Sequence, residues 1–529
     1  MNNIENKGTI KPVKTRRLSP FRVLVALALL GYIGYQIFNQ FQAWDNSKDI
    51  LKVDPWFASY VDVTATPQFD FEQLGNTAGK NVVLSFIVAS SDDSCTPTWG
   101  NAYTLNEADE ALDLNRRIAR LRQLGGDVAV SFGGLLNNEL SLNCLDQDKL
   151  VLAYESVINK YGIEMIDLDL EGESLSNQEA VTRLAKAISF IQSKMRQRDG
   201  ALGVWLTLPV IPQGLTEEGT RAIAIMLKEG VDLAGVNIMV MNYGDSKNTY
   251  ESLVLATKSA MQETHRQLGI LYVQDGTSLS SESLWGKIGI TPMIGQNDLR
   301  DEVFNISDAV VLNEYAAGIG VMRVSMWSAN RDVQCGDNYV NLSVVSDSCS
   351  GVKQNRFEFL ETLSRSFTGT LSSNAAIKTE DDGVKPESIV DDPSSSPYQI
   401  WNDNSVYLEG TKVVWRRNVY QAKWWTQGDL PDNPVLQSWQ TPWHLIGPVL
   451  EGEKPLKLPT LPKGTYPSWD GLVQYDEGDR VMFRDVPYQA KWWTQGDSPA
   501  AASADPTSSP WAQLTYKEIE EVIEEFGKK

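Results

Sequence analysis

The chain is poor in the residues that metal sites and nucleophilic triads need. Its 529 residues include only two histidines, His265 and His444, which lie far apart in the sequence. A histidine metal site and a Ser-His-Asp triad are therefore not expected. Acid–base chemistry, if present, has to come from carboxylates or tyrosines.

Cysteine is also scarce, with four residues and no CxxC pair. Among the three possible pairings we expect two disulfides, Cys95–Cys144 and Cys335–Cys349. Four inert thiols are the alternative, and a location in the cell envelope would favour the bridges.

Positive charge is in the minority, because 47 lysines and arginines face 68 aspartates and glutamates, which gives a net charge of -21. This balance argues against a nucleic-acid-binding face. It suits a soluble protein that binds a nearly neutral polymer, although solubility alone explains the charge equally well. The hydrophobic fraction of 42% and the charged fraction of 22% are typical of a folded protein.

An apolar run, Val23–Phe38, follows a basic segment near the N terminus and can be extended to Phe41. No small-x-small cleavage site follows it. We therefore expect a transmembrane signal anchor over residues 23–41, with residues 1–22 in the cytoplasm and the rest of the chain outside the membrane, periplasmic or extracellular. A cleaved signal peptide and a secreted protein are the alternative.

Residues 44–372 contain strand-like apolar runs at the spacing of βα repeats, separated by stretches with a helical pattern such as 106–124, 178–196 and 217–228. This alternation predicts an α/β fold, a (β/α)₈ TIM barrel. An open doubly wound sheet is the alternative, but no glycine-rich dinucleotide loop supports it. The runs are Tyr60–Ala65, Asn81–Ser90, Asp127–Gly133, Ile163–Glu171, Leu202–Pro209, Gly235–Tyr243, Gly286–Ile294 and Gly320–Trp327.

The last quarter of the chain has a different organisation. A polar segment at 373–396 is expected to be a linker. Beyond it we predict two small all-β modules, module 1 (residues 397–446) and module 2 (residues 467–515), joined by a proline-rich linker at 447–466.

The two modules share a repeat, because Ala422–Asp429 and Ala490–Asp497 have the same sequence, AKWWTQGD. Ten of the sixteen tryptophans lie in this last quarter, too many for two small cores to bury. Exposed aromatic rings usually mark a binding surface. Residues 516–529 have the pattern of an amphipathic tail helix.

The segment Ile163–Glu171 carries the main chemical signal. As a strand it places Asp167, Asp169 and Glu171 on one face, and in a barrel that face points to the axis. Glu171 falls at the carboxyl end of the strand, where barrel active sites lie. Three neighbouring carboxylates cannot all ionise cheaply, so one proton is retained, as a general acid requires. A solvated acidic strand or a divalent-cation site is the alternative.

The acidic segment, together with Ser131–Gly134, residues 236–244 and Met326–Ser328, resembles glycoside hydrolase family 18, the chitinase family, over about residues 55–365. The acidic signature D-x-x-D-x-D-x-E is present with Glu164 at its first position, and the S-x-G-G motif is present as Ser131–Gly134. The segment 236–244 resembles the sixth barrel strand of the family. Met326-Trp327-Ser328 resembles the end of the eighth.

The resemblance implies a chitinase that cleaves β-1,4-N-acetylglucosamine linkages with retention of configuration, assisted by the substrate's acetamido group and without a metal or organic cofactor. Glu171 would be the acid and base. Asp169 would orient the acetamido nitrogen, Asp167 would hold Asp169, and Tyr243 would bind the acetamido oxygen. The short interval between Gly295 and Gly320 suggests a shallow, endo-acting cleft.

The resemblance also implies a set of substrate contacts. These are small residues beneath a sugar, side chains around the acetamido group and a tryptophan floor, namely Ser131, Gly133, Met239, Met241, Asn242 and Trp327. The alternative for Tyr243, Met239 and Met241 is that they pack together in the hydrophobic core. The alternative for Trp327 is that its ring is buried in the core.

The repeated modules resemble carbohydrate-binding modules of families 5 and 12. Their sugar-stacking residues would be Tyr420, Trp424, Trp425, Tyr488, Trp492 and Trp493, with one tryptophan of each pair in the module core. The implied partners are chitin and chitooligosaccharides, bound by a monomer. An endo-β-N-acetylglucosaminidase and an inactive chitin-binding lectin are alternatives. The paired modules argue against the first and the presence of Glu171 against the second.

Overall fold

The protein was analysed as a computed structural model, which describes residues 53–248, 251–338, 345–383, 390–450, 452–455, 461–462, 464–484, 486–500 and 508–527. The expected cytoplasmic segment 1–22 and signal anchor 23–41 lie outside these residues. Among the described residues, no helix is both long and apolar enough to cross a membrane. The fold class is corrected accordingly: over the described ranges the structure supports a barrel and all-β modules, and the predicted transmembrane helix is not found there.

A closed parallel sheet forms the centre of the catalytic part. Consecutive strands from β2 to β9 pair in parallel, and β1, which is separated from β2 by Ala58 alone, pairs with β9. This closure confirms the predicted TIM barrel. The strands are β1 (Trp56–Phe57), β2 (Ser59–Asp62), β3 (Val82–Ala89), β4 (Val128–Gly133), β5 (Met165–Asp169), β6 (Gly203–Ile211), β7 (Gly235–Met239), β8 (Ile288–Thr291) and β9 (Arg323–Val324).

Helices alternate with these strands. They are α1 (Leu105–Leu112), α2 (Leu114–Gln123), α3 (Leu140–Asn143), α4 (Gln147–Tyr161), α5 (Gly172–Ser176), α6 (Gln178–Arg196), α7 (Glu217–Lys228), α8 (Leu253–Gln274), α9 (Ser281–Trp285), α10 (Ile306–Ile319), α11 (Glu358–Leu363), α12 (Leu371–Ala375) and α13 (Tyr516–Gly527). The helical stretch predicted over 106–124 is divided at Asp113, which adopts a left-handed conformation with φ of 52°. Aspartate tolerates this conformation better than most residues.

The barrel has two separate apolar clusters. The larger one lies between strands and helices and includes Ile166 and Leu168 of β5. The smaller one lies inside the barrel and includes Met165 of the same strand, together with Tyr60 and Trp205. Because side chains alternate along a strand, Asp167 and Asp169 share the inner face with Met165.

Two disulfides, Cys95–Cys144 and Cys335–Cys349, are present, which is the pairing expected from the sequence. The predicted linker at 373–396 is wrong over residues 373–383. Thr379 Oγ1 accepts a hydrogen bond from buried Lys287 Nζ at 2.7 Å, and Asp382 accepts one from Ser280 N at 2.9 Å. This polar segment is held on the barrel by hydrogen bonds, which its composition did not reveal.

The two modules are small antiparallel β units with the same strand order. The last strand of module 1 ends two residues beyond the predicted boundary. Module 1 contains Val406–Tyr407, Lys412–Trp415, Asn418–Ala422, Thr426–Gln427 and Trp443–Pro448. Module 2 contains Gln474–Tyr475, Arg480–Phe483, Val486–Ala490, Thr494–Gln495 and Trp511–Gln513.

Candidate active site

The acidic strand β5 brings two carboxylates to the inside of the barrel. Asp167 is 1% exposed and Asp169 is 4% exposed. Glu171 follows the strand, is half-buried and precedes the first turn of α5. The three carboxylates therefore run from the barrel interior to its carboxyl end, as the alternation of side chains predicted.

The Ser-x-Gly-Gly segment of β4 lies beside β5, with Ser131 opposite Asp167 and Gly133 opposite Asp169. A Cβ on Gly133, whose φ is 105°, would lie 2.1 Å from the carbonyl oxygen of Asp169. Gly134 N donates to that same oxygen at 2.9 Å. The glycines therefore permit close strand contact. Ser131 is fully buried and donates to Asp167 at 2.8 Å, and Gly133 is buried as well. The sugar contacts predicted for Ser131 and Gly133 are therefore contradicted by their burial.

Asp167 accepts hydrogen bonds from four side chains. Its Oδ2 accepts from the Tyr60 hydroxyl and from Ser131 Oγ, each at 2.8 Å. Its Oδ1 accepts from Thr207 Oγ1 at 2.7 Å and from Arg323 Nη1 at 2.5 Å. Asp167 is therefore a fully hydrogen-bonded carboxylate paired with a buried cation.

Asp169 has a different environment. Burial, together with the negative charges of Glu171 and Asp167, raises the pKa of Asp169 well above its usual value. Its Oδ1 is buried and has no hydrogen-bond partner among the described residues. Asp169 is therefore a carboxyl group whose surroundings favour the protonated form and whose Oδ1 is available to a ligand.

Glu171 also has a raised pKa, caused first by burial and then by the charge of Asp298. Asn242 holds Asp298 in place, because its Nδ2 donates to Asp298 Oδ2 at 2.6 Å and its Oδ1 accepts from Asp298 N at 3.1 Å. Asn242 therefore acts on the site through Asp298. Burial and a neighbouring negative charge thus favour the protonated form of Glu171, which is the form that general acid catalysis requires.

The predicted acetamido contact of Tyr243 is contradicted by its position. The hydroxyl lies 3.1 Å from Thr257 Oγ1 of α8, and the ring belongs to the apolar cluster between strands and helices. Burial raises the pKa of Tyr243, and its acidic neighbours are Glu302 and Glu251 rather than the β5 carboxylates. Asn242 has φ of 53°, which breaks the strand alternation on which the prediction depended.

An aromatic platform lies at the carboxyl end of the barrel. Trp327 is half-buried and stacks on Phe86, with ring centroids 5.6 Å apart and an interplanar angle of 23°. This position suits the predicted floor better than a closed core ring. Met239 and Met241 are also half-buried, and their sugar contacts stay predictions.

The modules expose all four tryptophans of the repeat, Trp424, Trp425, Trp492 and Trp493, with exposed fractions between 43% and 57%. The expectation that one ring of each pair is in the core is therefore wrong. Tyr420 and Tyr488 are only 8% and 9% exposed and belong to the module cores. Their predicted role in sugar stacking is corrected, since each core is completed by a tyrosine rather than by a repeat tryptophan.

Sequence reasoning missed several polar and aromatic residues around the carboxylates. Most of them are single polar residues within apolar strands, and a buried polar side chain normally needs a partner. A single polar residue in an apolar strand was therefore the signal that the sequence offered. The identity of its hydrogen-bond partners could not be predicted, because they are brought together only when the barrel closes. The missed residues are Tyr60, Phe86, Thr207, Asn237, Asp298 and Arg323.

The divalent-cation alternative has little support from the geometry. The oxygens of Asp167 are occupied by hydrogen-bond donors and by a guanidinium group. Within the described part of the chain, no group of three or more His, Cys, Asp or Glu side chains is arranged to hold a metal ion.

A parallel barrel with a carboxylate cluster of raised pKa and an aromatic platform at the carboxyl ends of its strands is typical of a glycosidase site. Among curated proteins, the chain is 33% identical over 289 residues to a probable bifunctional chitinase/lysozyme of Escherichia coli (strain K12). It is 33% identical over 284 residues to endochitinase 11 of Metarhizium anisopliae. The matches cover 53% and 52% of this chain and 31% and 52% of those relatives.

Structural comparison gives the same class. The catalytic domain of the hyperthermophilic chitinase from Pyrococcus furiosus is similar over 99% of its length and 60% of this chain, with 26% identity and a TM-score of 0.50. Residues 468–512 match the model of carbohydrate-binding module family 5/12. The resemblance to chitinases seen in the motifs is confirmed, and the family match for a binding module applies to module 2.

Proposed function

We propose that this chain is a chitinase that hydrolyses β-1,4 linkages between N-acetylglucosamine units of chitin. The observation that carries the proposal is the arrangement of Glu171 beside Asp169, two carboxyl groups with raised pKa, at the end of a barrel with Trp327 and Phe86 as an aromatic platform. Similarity to chitinases supports this choice of substrate.

The proposed mechanism uses Glu171 as acid and then as base. Glu171 protonates the glycosidic oxygen while the carbonyl oxygen of the substrate's acetamido group attacks the anomeric carbon. The glycosidic bond breaks and an oxazolinium ion forms. Water, deprotonated by Glu171, then opens this ion with net retention of configuration.

Asp169 has the position to orient the acetamido group. Its unpartnered Oδ1 can accept the amide N–H of the substrate, which would fill the hydrogen-bonding capacity left open in the protein. Tyr243 has no part in this scheme. Asn242 and Asp298 act instead on the charge next to Glu171.

We also propose an endo-acting cleft. The interval from Gly295 to Gly320 contains a short hairpin, Gly295–Gln296 with Val303–Phe304, followed by α10. Such an interval has no room for an inserted domain that would wall the cleft, so a polymer can lie across it.

The modules are proposed to hold the enzyme on chitin through their exposed tryptophan pairs. The family match supports this for module 2, and the repeated AKWWTQGD sequence extends it to module 1. The two disulfides support a location outside the cytoplasm for the catalytic part, because such bonds persist in oxidising compartments.

The test is hydrolysis by the purified chain with Glu171→Gln as its matched variant. Reducing-sugar release from colloidal chitin is expected for the wild type, with a loss of roughly 10²–10⁴ in the variant and little change in oligosaccharide binding, because glutamine keeps the shape without the acid. Near-wild-type turnover by the variant would contradict the assignment of Glu171. Release from a high-mannose glycoprotein but not from chitin, or chitin binding without any hydrolysis, would contradict the proposed activity.

A further inference from the structure

Arg323 is a buried cation inside the barrel and the mechanism above does not use it. The side chain is 1% exposed, and its guanidinium carbon lies 5.2–5.6 Å from the ring centroids of Trp56, Tyr60 and Trp205. A buried charge is costly unless it is paired. The negative charge beside it is that of Asp167, whose Oδ1 lies 2.5 Å from Arg323 Nη1.

The hydrogen-bond network fixes the direction of the bonds to Asp167. Arg323 Nη2 donates to the Tyr60 hydroxyl oxygen at 2.9 Å, and Asn237 Nδ2 donates to Thr207 Oγ1 at 3.0 Å. Each of these hydroxyl oxygens accepts an N–H bond, and each hydroxyl donates its own hydrogen to Asp167. Asp167 therefore accepts two hydrogen bonds on each oxygen, and one of the four comes from a guanidinium group.

We infer that Arg323 is a positioning residue that fixes Asp167 as an anion throughout turnover, so that the proton of the Asp167–Asp169 pair stays on Asp169. The inference rests on the proposed function for its catalytic meaning, but the ion pair can be tested without it. In this arrangement Asp167 is not a proton acceptor for Asp169. It supplies a constant negative charge beneath the site.

The charges around the pair agree with this assignment. Asp167 and Asp169 differ in their neighbours, because the cation and the hydroxyl donors surround Asp167, whereas Asp169 faces the other carboxylates. The groups that face the pair are Tyr60 on β2, Ser131 on β4, Thr207 on β6, Asn237 on β7 and Arg323 on β9, with Glu171 and Asp298 towards the open end.

The first experiment measures the pH profile of kcat/KM for a chromogenic chitooligosaccharide with Arg323→Met and Arg323→Lys. Without the cation, the anionic form of Asp167 is disfavoured, so the acid limb of the profile should move to higher pH by about one unit or more. Lysine keeps the charge and should give a smaller shift. Arg117→Met, which removes a partly buried arginine paired with Glu72 away from the site, should leave both limbs unchanged.

The second experiment needs no activity and measures urea unfolding between pH 4 and pH 7. In Arg323→Met the unpaired native carboxyl should hold a proton that the unfolded chain has released. Stability present near pH 4 is then lost as pH rises, so the deficit relative to wild type should grow towards pH 7. If this variant does not fold, Asp167→Asn/Arg323→Met removes both charges and should restore a folded protein.

The outcomes are separable. A wild-type protein that hydrolyses no chitin substrate would defeat the proposed function, and the unfolding data would still decide on the ion pair. An unchanged acid limb together with a pH-independent stability loss would mean that Arg323 only fills space, and would overturn the inference. A double variant no more stable than Arg323→Met would do the same.

Discussion

Module 1 and module 2 have nearly the same internal structure but differ in the sequence of one loop. In module 1 the core residue Trp443 donates through Nε1 to Asp429 O at 2.8 Å. In module 2 Trp511 makes the same bond to Asp497 O, also at 2.8 Å. The repeated sequence therefore specifies one small fold twice.

The difference lies in one loop of each module. Arg266 of α8 donates to Val435 O at 2.6 Å and to Leu436 O at 2.9 Å, and Gln267 Nε2 donates to Leu436 O at 3.0 Å. Leu436 also packs against the apolar cluster of the barrel. Module 2 has Ala504 in the place of Leu436. Module 1 is thus attached to the barrel through this loop.

The largest effect is expected from removing the modules in turn. A chain that ends at residue 383 keeps the segment bound to the barrel and loses both modules, whereas one that ends at residue 455 loses module 2. Because tethering raises the local concentration of enzyme at a polymer, loss of both modules should weaken binding to insoluble chitin by roughly 10²-fold or more.

The chain that ends at residue 455, which lacks only module 2, should keep its full activity on soluble tetrasaccharides. Co-sedimentation with chitin and kinetics on both substrates provide the measurement. If removal of module 2 alone accounted for the whole loss, the tryptophans of module 1 would have no part in chitin binding.

The tryptophan pairs test whether the two modules contribute equally. Trp424→Ala/Trp425→Ala and Trp492→Ala/Trp493→Ala each remove two exposed rings without touching a module core. Stacking on an aromatic face contributes about 1 kcal/mol per ring, so each double variant should bind chitin roughly tenfold more weakly or worse. Equal binding by both variants and the wild type would show that these rings are not the sugar contacts.

Much of the catalytic site follows from local sequence rules, and the departures have identifiable causes. The common face of Asp167, Asp169 and Glu171 follows from strand alternation. The alternation continues past the end of β5 to Glu171, whose backbone is still extended. The same rule failed at Tyr243, because the left-handed Asn242 turns the chain before it. Arg323 was missed because its partner lies 156 residues away and is reached only when the barrel closes.

The modules show a further limit of sequence reasoning. A composition rich in tryptophan predicts exposed rings, but it does not say which aromatic residues complete so small a core. The structure buries Tyr420 and Tyr488 and leaves the tryptophan pairs exposed. Tyrosine and tryptophan can each occupy either position, so three-dimensional packing has to decide.

Exchanging a loop residue between the modules tests the attachment directly. Leu436→Ala introduces the residue that module 2 has at the equivalent position, Ala504. Since Leu436 is partly buried against the barrel, the loss of its side chain should cost about 1–2 kcal/mol of the free energy that holds module 1 in place. Hydrogen exchange in Lys412–Trp415 should rise towards that of Arg480–Phe483, and unchanged exchange would contradict the attachment.

The smallest effect is expected from Arg266→Met, which removes the two hydrogen bonds to Val435 and Leu436 but keeps an apolar chain of similar length. Arg266 is also paired with Glu263 at 2.9 Å, so the variant leaves the Glu263 carboxylate without this partner, which adds to the loss of stability. At this partly exposed position each of the two hydrogen bonds is expected to contribute about 0.5 kcal/mol net, so the attachment of module 1 should lose about 1 kcal/mol. Arg183→Met is the matched control, because Arg183 of α6 also donates twice to a backbone carbonyl, that of Ser141 of α3, but away from module 1. Exchange in module 1 should therefore increase with Arg266→Met and stay at its wild-type rate with Arg183→Met. Equal increases in both variants would mean that module 1 responds to the stability of the barrel as a whole rather than to this contact.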